Sequence, residues 1–329
     1  MSAIHRETND QAKQWNSTST NSSLLALWDA STHNADIVVA QDGSGNYRTI
    51  NEAVQALHRE HNGDRRAIVY VKSGVYEEYV EIARNLRNVM FVGDGIDETI
   101  VTGNHNVPDG YTTYRSATFG VSGDGFWARD ITFENTAGPS KEQAVALRVN
   151  SDRSVIYRDC DIYGTVDFIF GNAAAVIQNS EIFIRKPMPR QRPMVTAQGR
   201  DDPNQSTGIS VHSCRVRPTA EMEAVKGNFN SYLGRPWQRY SRTVFLKTDL
   251  DGLIHPEGWA EWNGDFALDT LYYGEYMNTG AGADTGRRVN WRGFHVLGGL
   301  DEAGEFSVER FIQGHEWIPE SGAPFWGGV

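Results

Sequence analysis

At 329 residues the chain can hold one large domain or two ordinary ones, and its 39% hydrophobic and 22% charged residues are those of a globular protein that buries a core. A formal net charge of -11 gives no support to nucleic-acid binding, which wants a basic face, and any anionic polymer bound here would need a locally basic or neutral groove. No apolar run is long enough for a helical membrane span, and 33 glycines against 11 prolines favour many tight turns, as in an all-β chain.

Residues 1–35 are rich in Ser, Thr, Asn and His and lack the apolar stretch and small-residue cleavage site of a signal peptide. Their composition predicts a flexible leader, or a segment matured from a longer precursor, ahead of a single domain over 36–329. The sequons at Asn16, Asn21 and Asn204 matter only in a secreted protein. Ile37-Val38-Val39-Ala40 reads as a strand, followed by a turn at Asp42-Gly43-Ser44-Gly45. A short helix follows, with Thr49 as N-cap, Glu52 three residues on, and Ile50, Ala53, Val54 and Leu57 on one face. Ala67–Val71 is the next strand, closed by Ser73-Gly74. From there to about residue 250 the helical period disappears, and short β runs alternate with Gly, Asn and Asp turns.

Those runs repeat. Arg129-Asp130-Ile131, Arg158-Asp159-Cys160, Gln178-Asn179-Ser180 and His212-Ser213-Cys214 each open a polar-to-apolar segment, at intervals that predict a solenoid of one or two strands per unit. The fold class expected is all-β, a single-stranded right-handed parallel β-helix whose coils bury Val, Ile and Phe and leave one sheet face as a groove. Asn172 and Asn179 fall where turn residues belong. The last third, with Trp259, Trp262, Tyr272, Tyr273, Tyr276 and Trp291, reads as a cover of loops with a terminal helix around Val308–Ile312. Two cysteines, Cys160 and Cys214, cannot make a disulfide framework.

Two segments carry candidate chemistry. Asp167 stands inside the apolar run Gly164-Thr165-Val166-Asp167-Phe168-Ile169-Phe170-Gly171, where a carboxylate is costly unless paired or used. Read alone, it equally fits an Asp hydrogen-bonded to turn amides. Tyr232-Leu233-Gly234-Arg235-Pro236-Trp237 sets a guanidinium two residues from an indole, a pair able to hold a carboxylate and stack on a sugar ring, or simply to pack.

Taken with Gly74–Glu78, Thr112–Thr118, Gln143–Leu147 and Glu261–Phe266, these segments resemble plant-type pectin methylesterases (pectinesterases) from about Asp36 to Val296. The resemblance implies a cell-wall hydrolase that cleaves methyl esters of homogalacturonan with no metal or organic cofactor. Asp167 would be the nucleophile and Gln143 an oxyanion donor. Arg235 would orient Asp167, and Thr113, Gln143, Arg235 and Trp237 would contact substrate. Implied partners are pectin and a proteinaceous pectinesterase inhibitor, for a monomer acting outside the cell without nucleic acid or membrane. The absence of a Gly-x-Ser-x-Gly elbow removes support for a serine esterase. A lyase would want a calcium-binding acidic cluster and a glycosidase a spaced carboxylate pair, and neither surrounds Asp167.

One departure stands out. The Tyr-Gln-Asp-Thr-Leu stretch that carries the family's general acid/base and second oxyanion donor has no counterpart between Gln143 and Asp167, which are 24 residues apart. A loss of about 20 residues, one coil, is expected there. Losing a general acid typically slows turnover about 10²–10⁴-fold, so the alternative expectation is an impaired esterase that still binds pectin. Asp152, Asp159 and Asp161 are the nearest carboxylates, but they are expected in a turn and flanking strand rather than beside Asp167. Ser180 stands where many relatives have a cysteine facing the position of Cys160, so no disulfide is expected there.

Overall fold

The computed structural model describes residues 35–151, 155–319 and 325–329. The expected leader, except for its last residue, and the sequons at Asn16 and Asn21 lie outside the described residues. The remainder winds into three parallel sheets of ten, seven and six strands, each strand pairing with its counterpart in the next coil. A coil can be short: the Cys160 amide donates to Ser180 Oγ, 20 residues on, at 3.1 Å. This is the parallel β-helix expected. Its interior is one continuous core that includes Phe91, Phe119, Phe126, Phe133, Leu147, Ile162, Ile169 and Val211.

The repeated polar residues mark one corner of the coil. Asp130, Asp159, Asn179 and Ser213 have φ of 57°, 50°, 52° and 52°, and the column continues at Lys247 and Met277, both at 47°. Asn and Asp tolerate the left-handed region better than most residues, which is why this corner is visible in sequence. Lys247 and Met277 hide it in the last coils. In consequence Tyr272–Tyr276 is a strand of the ten-stranded sheet in register with Arg242–Leu246, followed by Phe294–Val296. Trp259 is core rather than cover, with 1% of its surface exposed. The solenoid therefore runs past the point where loops alone are expected.

The first coil is capped, as stacked repeats require. Ile50–Glu60 is the helix expected, with the Thr49/Glu52 capping box formed, and it buries Ile50, Ala53, Val54 and Leu57 against the first coil. The short helices Val308–Phe311 and Gly314–Trp317 instead cover the outer face of the ten-stranded sheet, laying Val308, Ile312 and Ile318 over Met90, Val92, Trp127 and Val176.

Candidate active site

The six-stranded sheet carries the site. Its order is Val80–Ile82, Phe119–Val121, Leu147–Val149, Val166–Gly171, Met194–Gln198 and Tyr232–Gly234. Phe119, Leu147 and Ile169 share one register line and point into the core. By the two-residue alternation of strands, their neighbours Gly120, Arg148 and Phe170 line the outer face. Leu147 pairs directly with Ile169, so the coil of Gln143 and the coil of Asp167 are adjacent.

Asp167 sits at a β-bulge. Val166 pairs with Met194 and Ile169 with Thr196, so Asp167 and Phe168 together oppose one residue. Asp167 has φ 54° there. A bulge re-aims a side chain, and a non-glycine residue in this region costs about 1–3 kcal/mol, a combination typical of functional positions. Gly164 makes room for the irregularity, since a Cβ there would lie 2.2 Å from Phe168.

The Asp167 carboxylate is fully buried and clasped by Arg235 through two parallel hydrogen bonds, Nε to Oδ1 at 2.9 Å and Nη2 to Oδ2 at 2.6 Å. Burial pushes the Asp167 carboxyl above its usual range, while the charge and hydrogen bonds of Arg235 pull it back. The guanidinium lies under the Trp262 ring, 4.4 Å from its centroid. Trp237 packs on Phe170 with centroids 4.3 Å apart, and its indole occupies the space that a Cβ on Gly199 would fill.

A cavity of about 230 Å³ opens beside Arg235, lined by Glu142, Gln143, Val166, Arg190, Gln191, Arg192, Met194 and Arg235, with Asp167 buried behind it and not in its lining. Gln143 and Arg235 both line this cavity. Thr113 opens the single turn Thr113–Ser116, which is tied to the same neighbourhood because the Val145 amide donates to Ser116 Oγ at 3.2 Å. Thr113 is not among the cavity's lining residues.

Three contributions to the site are not assigned by the sequence, although Trp262 lies within the Glu261–Phe266 segment. Trp262 covers Arg235 only because a loop some 27 positions away folds back. Glu142 precedes Gln143 with φ 52° and ψ -122° and is the one carboxylate lining the cavity. Arg148 is buried, bridges to Glu81, donates to the Tyr114 carbonyl at 3.0 Å and lies 3.9 Å from that tyrosine's ring centroid, which pins the turn of Thr113.

Of the nearby acids, Asp152 lies outside the described residues. Asp159 is a corner residue bonded to Asn179, and Asp161 belongs to the seven-stranded sheet, so neither stands beside Asp167. Cys160 and Cys214 are free and buried, and Ser180 Oγ sits against the Cys160 amide.

Fold and site together define a parallel β-helix with a carboxylate–guanidinium pair set under an aromatic-rimmed groove. The sequence profile of the Pectinesterase family matches residues 36–158 and 156–315, and the chain belongs to that family. It is 61% identical over 330 residues to probable pectinesterase/pectinesterase inhibitor 36 of Arabidopsis thaliana, covering 94% of this chain and 64% of that one. Pectinesterase 2 of Citrus sinensis is 54% identical over 318 residues, covering 91% of this chain and 61% of that one. The chain thus spans less than two thirds of the length of these relatives. Among solved structures, pectin methylesterase from carrot superposes with a TM-score of 0.81 at 47% identity, covering 92% of this chain and all of the other.

Proposed function

We propose that this chain hydrolyses the methyl esters of homogalacturonan, giving a free galacturonate carboxylate and methanol, with Asp167 as nucleophile. The observation that carries the reading is the buried Asp167, held at a bulge by two nitrogens of Arg235, Nε and Nη2, in a family named for this reaction. An Asp167 oxygen adds to the ester carbonyl carbon, and the resulting oxyanion faces the Gln143 amide. Collapse expels the methoxy group, which takes a proton from Glu142, and leaves an acyl anhydride on Asp167. Water, giving its proton back to Glu142, then releases the galacturonate carboxylate and restores Asp167. Thr113 and Trp237 would contact the polymer along the groove, and neither a metal nor an organic cofactor enters these steps.

The finer reading is that one coil is absent between Gln143 and Asp167. It is supported by the two profile segments that meet at 156–158. The alignment to the Arabidopsis relative also has 330 positions for 94% of 329 residues, or about 309, leaving about 21 positions of the relative without a counterpart. The similarity to these esterases lends no support to the alternative of an impaired esterase that still binds pectin. Action in the cell wall, as a monomer, on pectin and under control of a proteinaceous inhibitor completes the proposal; the word inhibitor in the relatives' names supports the last part. The test is methanol release from highly methylated pectin by the wild-type chain and Asp167→Asn. Release by the first and background from the second is expected; equal rates would sink the assignment.

A further inference from the structure

The sequence contains two Asn-Gly pairs, Asn62-Gly63 and Asn263-Gly264, and the fold treats them differently. At the first, the Asn62 side-chain amide donates to Asp64 Oδ2 at 2.7 Å and its oxygen accepts from the Asp64 backbone at 3.2 Å, while Gly63 is buried. Both ends of that side chain are held. At the second, Asn263 and Gly264 are exposed, and among the described residues neither the Asn263 side chain nor the Gly264 amide has a hydrogen-bond partner. Gly264 has φ 54°, and a Cβ added there would meet nothing within 4 Å, so the peptide joining the two residues has room to turn.

The second pair also adjoins the candidate site. Trp262, the residue before it, lies over the Arg235 guanidinium, and Glu261 before that is bridged to Arg192 at 3.0 Å. On the other side, the Phe266 amide donates to the Asn263 carbonyl at 3.2 Å and closes the turn. Trp262 is therefore held over Arg235 from one side by an ion pair and from the other by a turn whose closing carbonyl belongs to Asn263.

We infer that Asn263 is a site of self-modification, where deamidation to isoaspartate releases the Trp262 lid. Asparagine is a chemically labile residue, and a following glycine offers its nitrogen the least hindrance. The Gly264 nitrogen gives up its proton and adds to Asn263 Cγ. The new C–N bond closes a cyclic imide, and the Cγ–Nδ2 bond breaks as ammonia leaves with a proton equivalent to the one lost. Water then opens the ring. Attack at Cγ gives aspartate, and attack at the main-chain carbonyl carbon gives isoaspartate, whose main chain runs through Cβ and Cγ. Isoaspartate lengthens the backbone by one methylene between Trp262 and Gly264, turns the carbonyl that closes the turn into a free carboxylate, and adds a negative charge. The modification itself is independent of the proposed function; its effect on turnover rests on that reading.

Peptide mapping of the folded chain after incubation at mildly alkaline pH tests it, with isoaspartyl methyltransferase labelling to tell isoaspartate from aspartate. The peptide containing Asn263 should gain the mass of an amide-to-acid exchange and take the label, faster as pH rises, while the peptide containing Asn62 stays unmodified. In denaturant the two should convert at similar rates, because the fold no longer holds Asn62. Methanol release by the isolated isoaspartate form should be about twofold to fivefold slower, the worth of one exposed cation–π contact. Asn263→Gln should take no label at this position and keep its activity through the same incubation. Freshly prepared Asn263→Asp, which gains the charge without the methylene, should start at the wild-type rate. No conversion at Asn263 in the folded chain, or equal conversion of folded Asn62, would overturn the site, and an isoaspartate form as fast as wild type would overturn its hold on the lid. If the chain releases no methanol at any stage, the esterase reading fails, and selective conversion at Asn263 would still establish the modification.

Discussion

Asp167 joins three costs in one residue: a left-handed backbone, complete burial and a charge. The two hydrogen bonds from Arg235 offset the last of these and leave the carboxylate oriented. Removing the guanidinium removes the influences that lower the Asp167 pKa while the burial that raises it stays. Since the nucleophile acts only when ionised, Arg235→Gln should move the acid limb of the pH–rate profile to higher pH, besides lowering kcat. A pH profile of methanol release over pH 4–9 measures this (a limb that stays in place or moves to lower pH contradicts it). Glu142 is tested in the same assay. Glu142→Gln keeps the size of the side chain but cannot yield a carboxyl proton, so kcat should fall about 10²-fold with KM little changed. A variant as fast as wild type would show that solvent supplies the proton.

Within the coil, the elements most legible in sequence are those dictated by local chemistry. The corner of Asp130, Asp159, Asn179 and Ser213 announces itself because few side chains accept its φ, and the Thr49–Glu52 box marks the capping helix for a similar reason. The strand Tyr272–Tyr276 was hidden because Lys247 and Met277 fill the same corner without the usual residues. The bulge at Asp167, the Trp262 lid and the Arg148–Glu81 bridge were illegible for another reason: each depends on which coils lie side by side. The stacking of coils also makes a covalent prediction. Positions 160 and 180 are neighbours across one coil step, about 4.8 Å between backbones, inside the Cα separation a disulfide accepts. Ser180→Cys should therefore close a disulfide with Cys160 on oxidation, leaving Cys214 as the one free thiol and stabilising the fold by about 3 kcal/mol. Thiol titration and non-reducing peptide mapping check it, and three free thiols after oxidation would contradict the stacking.

Across the whole molecule, parallel stacking turns every inward or interfacial side chain into one member of a column, so an ill-matched residue is felt by the neighbouring coils. Asp161 is such a residue. It pairs in register with Thr132 on one side and Glu181 on the other, is 4% exposed, and its Oδ1 has no hydrogen-bond partner among the described residues. Burial first, then the charges of Glu181 and Asp97, push its pKa up to about 7, with Tyr163 and Arg215 only partly opposing them. An unfolded aspartate titrates near 3.9. The folded chain therefore holds this proton more tightly than the unfolded chain. Its contribution to stability is fully present below about pH 4 and is lost as pH rises through about 7. The full loss is on the order of 2–4 kcal/mol. Asp161→Asn, which cannot ionise, should match the wild-type melting temperature near pH 4 and exceed it by a widening margin up to pH 7, beyond which the gap stays constant. Because Asp161 lies on a different sheet from Asp167, methanol release per folded molecule should be unchanged. A melting-temperature gap that is flat with pH, or that closes as pH rises, would mean that the carboxylate is neutralised in the fold by a route other than protonation.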